Sequence, residues 1–311
     1  MPEPASSVSR EGYSEEAIRE ILGPQGASAP VLIIAAHMDD EAIGAGGLLK
    51  YLKNFSVLNV TDGAARNMRA ARARGYATRE GYALARRAEL REVLSMTPSQ
   101  PMDLTTLDVA DLDAPFNLPG ITMSVKEAIA RRAPAIVITH PYEGGHPDHD
   151  SAAFAVSAAL CLMRAEGKSV PKHLEFTSYH GDGGKIVTSR FLNPGPDEAR
   201  IELSKEERAF KEALFSCYRT QKGALRGFPI GSERFRKAPQ YDFCRPPHEG
   251  RLFYQYFDWG LPGRAWCALA ARAAREIGIG DGRFETDYLE FFNPRAAYRY
   301  LRYLRTRTAF F

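Results

Sequence analysis

Two short stretches of this sequence concentrate side chains that bind metals and move protons: Ala36-His37-Met38-Asp39-Asp40-Glu41 and His146-Pro147-Asp148-His149. Imidazole and carboxylate donors suit zinc, which at catalytic sites takes three protein ligands and keeps a fourth position open. The first stretch offers His37 and Asp40. In the second, Pro147 fits the first position of a helix and sets His146 and His149 three residues apart on one face, where either completes a triad. Each stretch alone has an ordinary explanation: Asp-Asp-Glu after a strand often only charges a helix N-terminus, and His-Pro-Asp often only makes a turn. Occurring together at two strand ends, they point to a catalytic site.

The strands that place them are the clearest in the chain. Val31–Ala36 and Ala135–Thr139 are continuous apolar runs of the kind buried on both faces of a parallel sheet, and weaker strand signals lie at Val57–Thr61, Leu104–Val109 and His173–Tyr179. Helical patterns fall between them at Glu41–Leu52, Arg79–Met96, Ile121–Arg132 and Pro147–Glu166. This alternation predicts an α/β fold, a Rossmann-like three-layer sandwich with a mostly parallel sheet. In such sheets ligands bind beyond the carboxyl ends of the strands, where the strand order reverses. If the two strong strands are neighbours there, the two clusters face each other. Gly44-Ala45-Gly46-Gly47 lies inside the helix that follows Asp40, so it reads as close helix packing rather than as a dinucleotide loop.

Beyond residue 190 the chain is richer in Pro, Gly, Arg and aromatics, with one clear helix start at Ser204-Lys205-Glu206-Glu207, a capping box. The expected organisation is a polar segment over 1–29, a core over 30–221, and an irregular extension over 222–311 that lines the cleft. That extension ends in a basic aromatic helix at 293–311.

Composition narrows the partners. With 41 Lys and Arg against 38 Asp and Glu, the chain lacks the cationic excess of a dedicated nucleic-acid binder, which favours a small substrate. The four cysteines, at 161, 217, 244 and 267, form no C-x-x-C pair, so they read as reduced thiols of a cytoplasmic protein. The first twenty residues lack the apolar run of a signal peptide, and no run is long enough to cross a bilayer.

The motifs resemble those of zinc-dependent N-acetylglucosaminyl deacetylases of the PIG-L and LmbE-like family. The first matches the family's Ala-His-Pro-Asp-Asp-Glu except for Met38, and the second matches His-Pro-Asp-His without change. Thr61-Asp62-Gly63, Arg86-Arg87-Ala88-Glu89-Leu90 and Tyr218-Arg219-Thr220-Gln221 extend the resemblance over residues 30–221. It implies Zn2+ on His37, Asp40 and His149, with Asp39 as general base and His146 facing the developing oxyanion or leaving amine. Asp148 would orient a histidine and Arg86 would contact the substrate, an aminosugar or glycoconjugate. Gly144-Gly145 stands where some members carry a catalytic tyrosine, whose role has no counterpart at that position.

Two other readings use the same residues. Two histidines and a carboxylate also form the facial triad of mononuclear iron oxygenases, although those sites generally sit on β-barrels. A non-catalytic sugar-binding protein, docking through 293–311 on an anionic membrane or a partner, is the second; a packed terminal helix is favoured over membrane contact.

Overall fold

A computed structural model describes residues 29–195, 197–257, 259 and 261–279. The expected helix at 293–311 and nearly all of the polar segment 1–29 lie outside the described residues. In chain order the elements begin β1 (Val31–Ala35), α1 (Asp40–Ala45), β2 (Phe55–Thr61), α2 (Arg69–Ala73), α3 (Arg79–Ser95) and β3 (Asp103–Val109). They continue α4 (Leu118–Arg132), β4 (Ile136–Thr139), α5 (Pro147–Ala165), β5 (Lys172–Phe176), β6 (Tyr179–Asp182) and β7 (Lys185–Thr188). The last are β8 (Glu198–Glu202), α6 (Lys205–Cys217), α7 (Lys222–Leu225), β9 (Ser232–Lys237) and α8 (Gly263–Glu276).

Seven strands form one sheet in the order β3-β2-β1-β4-β5-β9-β8, and the first five run parallel. β1 pairs with β2 on one edge, Val31 opposite Phe55, and with β4 on the other, Val31 opposite Ile136. The chain order reverses there, so the strands carrying the two motifs are neighbours. Side chains alternate across β1, and each face buries its own core. Ile33 joins Val57, Ile138, Leu90 of α3 and Leu214 of α6, whereas Leu32 and Ile34 join Leu58, Val125 of α4 and Val156 of α5. The result is the three-layer α/β sandwich expected from the alternation of elements. A third cluster seats Trp266 of α8 against Phe154 of α5 and Tyr142.

Three expectations are corrected. The helix expected over Glu41–Leu52 stops at Ala45 and resumes as a 3-10 turn at Leu48–Lys50. The cause is Glu233 on β9, whose buried carboxylate accepts the N–H groups of Gly47 (2.7 Å) and Leu48 (3.1 Å) and so starts a new helical turn. The strand expected at His173–Tyr179 is two strands: β5 belongs to the large sheet, while β6 pairs only with β7. Residue 221 does not end the core either, because β9 pairs antiparallel with β5 and carries β8 on its outer edge. The capping box is present in full, with Ser204 and Glu207 exchanging side-chain and backbone hydrogen bonds.

Candidate active site

The first motif leaves β1 as a tight, buried loop whose carbonyls are all claimed. Thr61 donates its N–H and hydroxyl to Ala36 O, Asn59 Nδ2 donates to His37 O, and Arg86 Nη2 donates to Met38 O. The Asp40 carboxylate turns back to accept the N–H of His37 (2.7 Å). Met38, where the family motif has proline, is wholly buried in the core. The second motif begins α5: His146 is its N-cap, with Nδ1 accepting the N–H of Asp148 at 3.2 Å. Trp266 Nε1 donates to Pro147 O (3.1 Å), so α8 pins this turn from behind.

Across the β1/β4 junction three donors converge. His37 Nδ1 lies 3.3 Å from Asp40 Oδ2 and 3.2 Å from His149 Nε2, and His149 Nε2 lies 3.4 Å from Asp40 Oδ1. Donors held at about 2.0–2.1 Å by a tetrahedral ion stand about 3.3–3.4 Å from one another, and each pairwise spacing here is of that size, although Asp40 meets His37 through Oδ2 and His149 through Oδ1. The chemistry fits as well, because two imidazoles and a carboxylate are borderline donors in a pocket where Asp39, Asp111 and Asp148 add acidic charge. Among the described residues, the sets whose donor atoms all lie within 4.8 Å of one another are His37, His146 and His149; His37, Asp111, His146 and Asp148; and Asp40, His140 and His149, so the expected three ligands are divided between overlapping sets.

The other expected residues take distinct places. Asp148 is fully buried and sets Oδ2 3.2 Å from His37 Nε2 while accepting the N–H of Leu112 (2.7 Å), so it fixes the ring that turns Nδ1 to Asp40 and His149. His146 meets His37 edge-on, with ring centroids 4.5 Å apart. Burial, then the neighbouring His37 and His149, hold His146 well below the ordinary imidazole range. With Nδ1 committed as an acceptor, its neutral ring carries the proton on Nε2. Burial raises the Asp39 carboxyl to about 7 against the opposing pull of Arg86, 3.3 Å away. For His37, burial works downward, but hydrogen bonds the ring donates to Asp111, Asp148 and Asp40 outweigh it and the ring is raised.

Arg86, expected as a substrate contact, is bound to the loop beneath the first motif. Its side chain is 6 % exposed, Nη1 donates to Gly63 O and Nη2 to Met38 O, both at 3.0 Å, and its charge faces Asp39. Gly63 permits this, since it holds φ +66° and a Cβ there would stand 2.6 Å from Arg86 Nη1. The guanidinium thus clamps the loop from beneath.

Sequence reasoning missed four neighbours. Asp111, beyond the end of β3, reaches His37 Nε2 at 3.2 Å. His140, the residue after β4, stacks on His149 with centroids 4.0 Å apart and sits 3.3 Å from Asp40. Both follow strands at the carboxyl edge, a signal available in the sequence. Tyr179 of β6 meets His149 at 5.2 Å, and Trp259 meets His146 at 4.6 Å. Tyr179 ends a strand the sequence did suggest, whereas Trp259 comes from the irregular half, where periodicity gave no guide.

Residues 32–160 match the family model described as GlcNAc-PI de-N-acetylase, PIG-L. Both motifs lie within the matched segment, so His37, Asp40 and His149 all come from it. Among solved structures, the chain is similar to a deacetylase of the teicoplanin biosynthesis pathway at 18% identity and TM-score 0.50, covering 68% of this chain and 100% of that one. It is also similar to N,N'-diacetylchitobiose deacetylase from Pyrococcus horikoshii, at 18% identity and TM-score 0.49 over 72% and 92% of the two chains. A 4-carboxy-2-hydroxymuconate hydratase from Pseudomonas putida stands at 17%, 0.48, 68% and 97%. No curated protein matches the sequence. At these identities the structural likeness concerns the fold alone.

Proposed function

We propose that this protein is a zinc-dependent N-deacetylase that hydrolyses the acetamide of an N-acetylglucosamine-type glycoconjugate. The observation that carries the reading is the convergence of His37, Asp40 and His149 with Asp39 and His146 beside them: a ligand set plus a carboxylate base and a neutral N–H donor. Zinc held there supplies Lewis-acid polarisation of the amide and brings the pKa of water from near 16 to about 7. Asp39, raised toward neutrality by burial and kept in place by Arg86, takes the proton from the attacking water. Asp39 returns that proton to the amine nitrogen as the C–N bond breaks, while His146, neutral and with Nδ1 tied to the Asp148 N–H, donates a hydrogen bond from Nε2–H at the departing amine. Asp148 keeps His37 in the ligating orientation, and the buried loop excludes bulk water from the base.

A cytoplasmic location belongs to the same proposal and is supported by four free thiols. None of the described helices is long and apolar enough to cross a membrane. The test is acetate release from a panel of N-acetylglucosaminides by the zinc-loaded protein. Release that depends on the metal is expected; none from any member, with zinc bound, would contradict the reading.

A further inference from the structure

Six rings in successive contact surround one side of the candidate centre. His149 meets Tyr179 at 5.2 Å, Tyr179 meets Phe253 at 5.8 Å, and Phe253 meets Phe257 at 5.1 Å. Phe257 stacks on Trp259 with centroids 4.7 Å apart and planes 18° off parallel; Trp259 packs on His146 at 4.6 Å, and His146 meets His149 at 5.2 Å. The circuit closes on itself and joins two motif histidines to rings from β6 and the extension. It also grades outward: Phe253 is buried, Trp259 half-buried, and Phe257 44% exposed. A large ring left this open beside a catalytic group costs solubility and adds nothing to the core, so its place is explained by what it meets in the cleft.

The chemistry of the amide gives the circuit a direction. The acetyl side of the substrate is one methyl group, too small to span from the centre to Phe257. The amine side carries the sugar, and the group assigned to the departing amine is His146, the ring on which Trp259 rests. We infer that this aromatic collar is the subsite for the amine-bearing part of the substrate. The pyranose lies against Trp259, and an apolar aglycone, aryl or alkyl, lies against Phe257. Faces of this kind favour flat or apolar partners by removing their surface from water while leaving hydroxyls at the rim. The inference rests on the deacetylase reading for the direction of the substrate, and it makes the preferred substrate a glycoside of N-acetylglucosamine rather than the free sugar.

The test compares phenyl N-acetyl-β-D-glucosaminide with free N-acetylglucosamine on the full-length, zinc-loaded protein, reading binding by calorimetry and turnover by acetate release. The phenyl glycoside is expected to bind about tenfold more tightly, an advantage that Phe257→Ala reduces toward unity and Phe257→Leu reduces less. Tyr256→Ala is the control. That neighbouring ring is 43% exposed but stands outside the circuit, with the Arg251 guanidinium over it at 4.2 Å, so its loss should leave the ratio intact. Equal affinity for the two compounds in the wild type, or a ratio unmoved by Phe257→Ala in a folded variant, overturns the collar. Preferential binding with no acetate released from either compound retains the subsite and overturns the deacetylase reading instead.

Discussion

Asp39 and Arg86 form a pair in which each explains the other. A carboxyl lifted to about 7 by burial suits a base that must hold and release a proton near neutrality, and the guanidinium beneath keeps it from drifting away from the loop. Asp39→Asn preserves shape and removes the base, so kcat should fall by about a hundredfold to ten-thousandfold while zinc stays bound. Wild-type turnover with zinc in place would remove Asp39 from the mechanism. Arg86→Lys keeps the charge but loses the fork that reaches Gly63 O and Met38 O together. Its effect is therefore expected on kcat and on thermal stability, and a change confined to KM would return Arg86 to the cleft wall. Asp148→Ala leaves His37 free to rotate and should weaken zinc affinity by about tenfold to a hundredfold, measured by competition with a chromogenic chelator.

At the scale of elements, the chain holds the centre in place by packing against its back. A Cβ at Gly44 of α1 would stand 2.2 Å from the fully buried ring of Phe176, which in turn meets His140 at 4.8 Å behind His149. Gly44→Ala should therefore destabilise the fold by about 1–3 kcal/mol and weaken zinc binding with it, although alanine is the better helix former. A variant as stable as wild type would show that the helix can shift freely. Under the turn before α5, Glu143 and Glu175 share the Arg236 guanidinium, with Tyr241 and Asp150 close by. Burial raises Glu143 to about 8 and Glu175 to about 7. Both bind a proton more tightly folded than unfolded, so their stabilisation is fullest below the ordinary carboxylate range and is lost as pH rises through about 7 to 8. Thermal midpoints of Glu143→Gln should gain on the wild type as pH increases from about 5 to 9; a constant difference would mean that Glu143 is ionised throughout.

These elements also mark what the sequence made legible. β1 and β4 announced themselves as apolar runs because parallel strands are buried on both faces, and the two motifs at their ends were readable for the same reason. The break in α1 was not, since it is imposed by Glu233, 186 residues away from Gly47 along the chain. Phe257 and Trp259 escaped notice because aromatic residues in irregular loops carry no period, and Tyr179, though at the end of an expected strand, is brought to His149 only by tertiary contact.

For the whole molecule, the parallel sheet with its order reversing beside β1 sets two loops from distant sequence into one centre, while β9 and β8 extend the sheet and α8 packs against α5 behind the second motif. The iron-oxygenase alternative uses the same donors, but the scaffold observed is a doubly wound sheet and not the β-barrel such sites generally occupy. A single titration decides the central claim. Zinc is added in increments to metal-free protein, and acetate release from an N-acetylglucosaminide is followed at each step. Activity should rise in proportion to zinc, reach its plateau at about one ion per chain, and be absent from Asp40→Ala and His149→Ala at the same ratio. Full activity before any metal is added, or undiminished zinc-dependent activity in both variants, would contradict a deacetylase built on His37, Asp40 and His149.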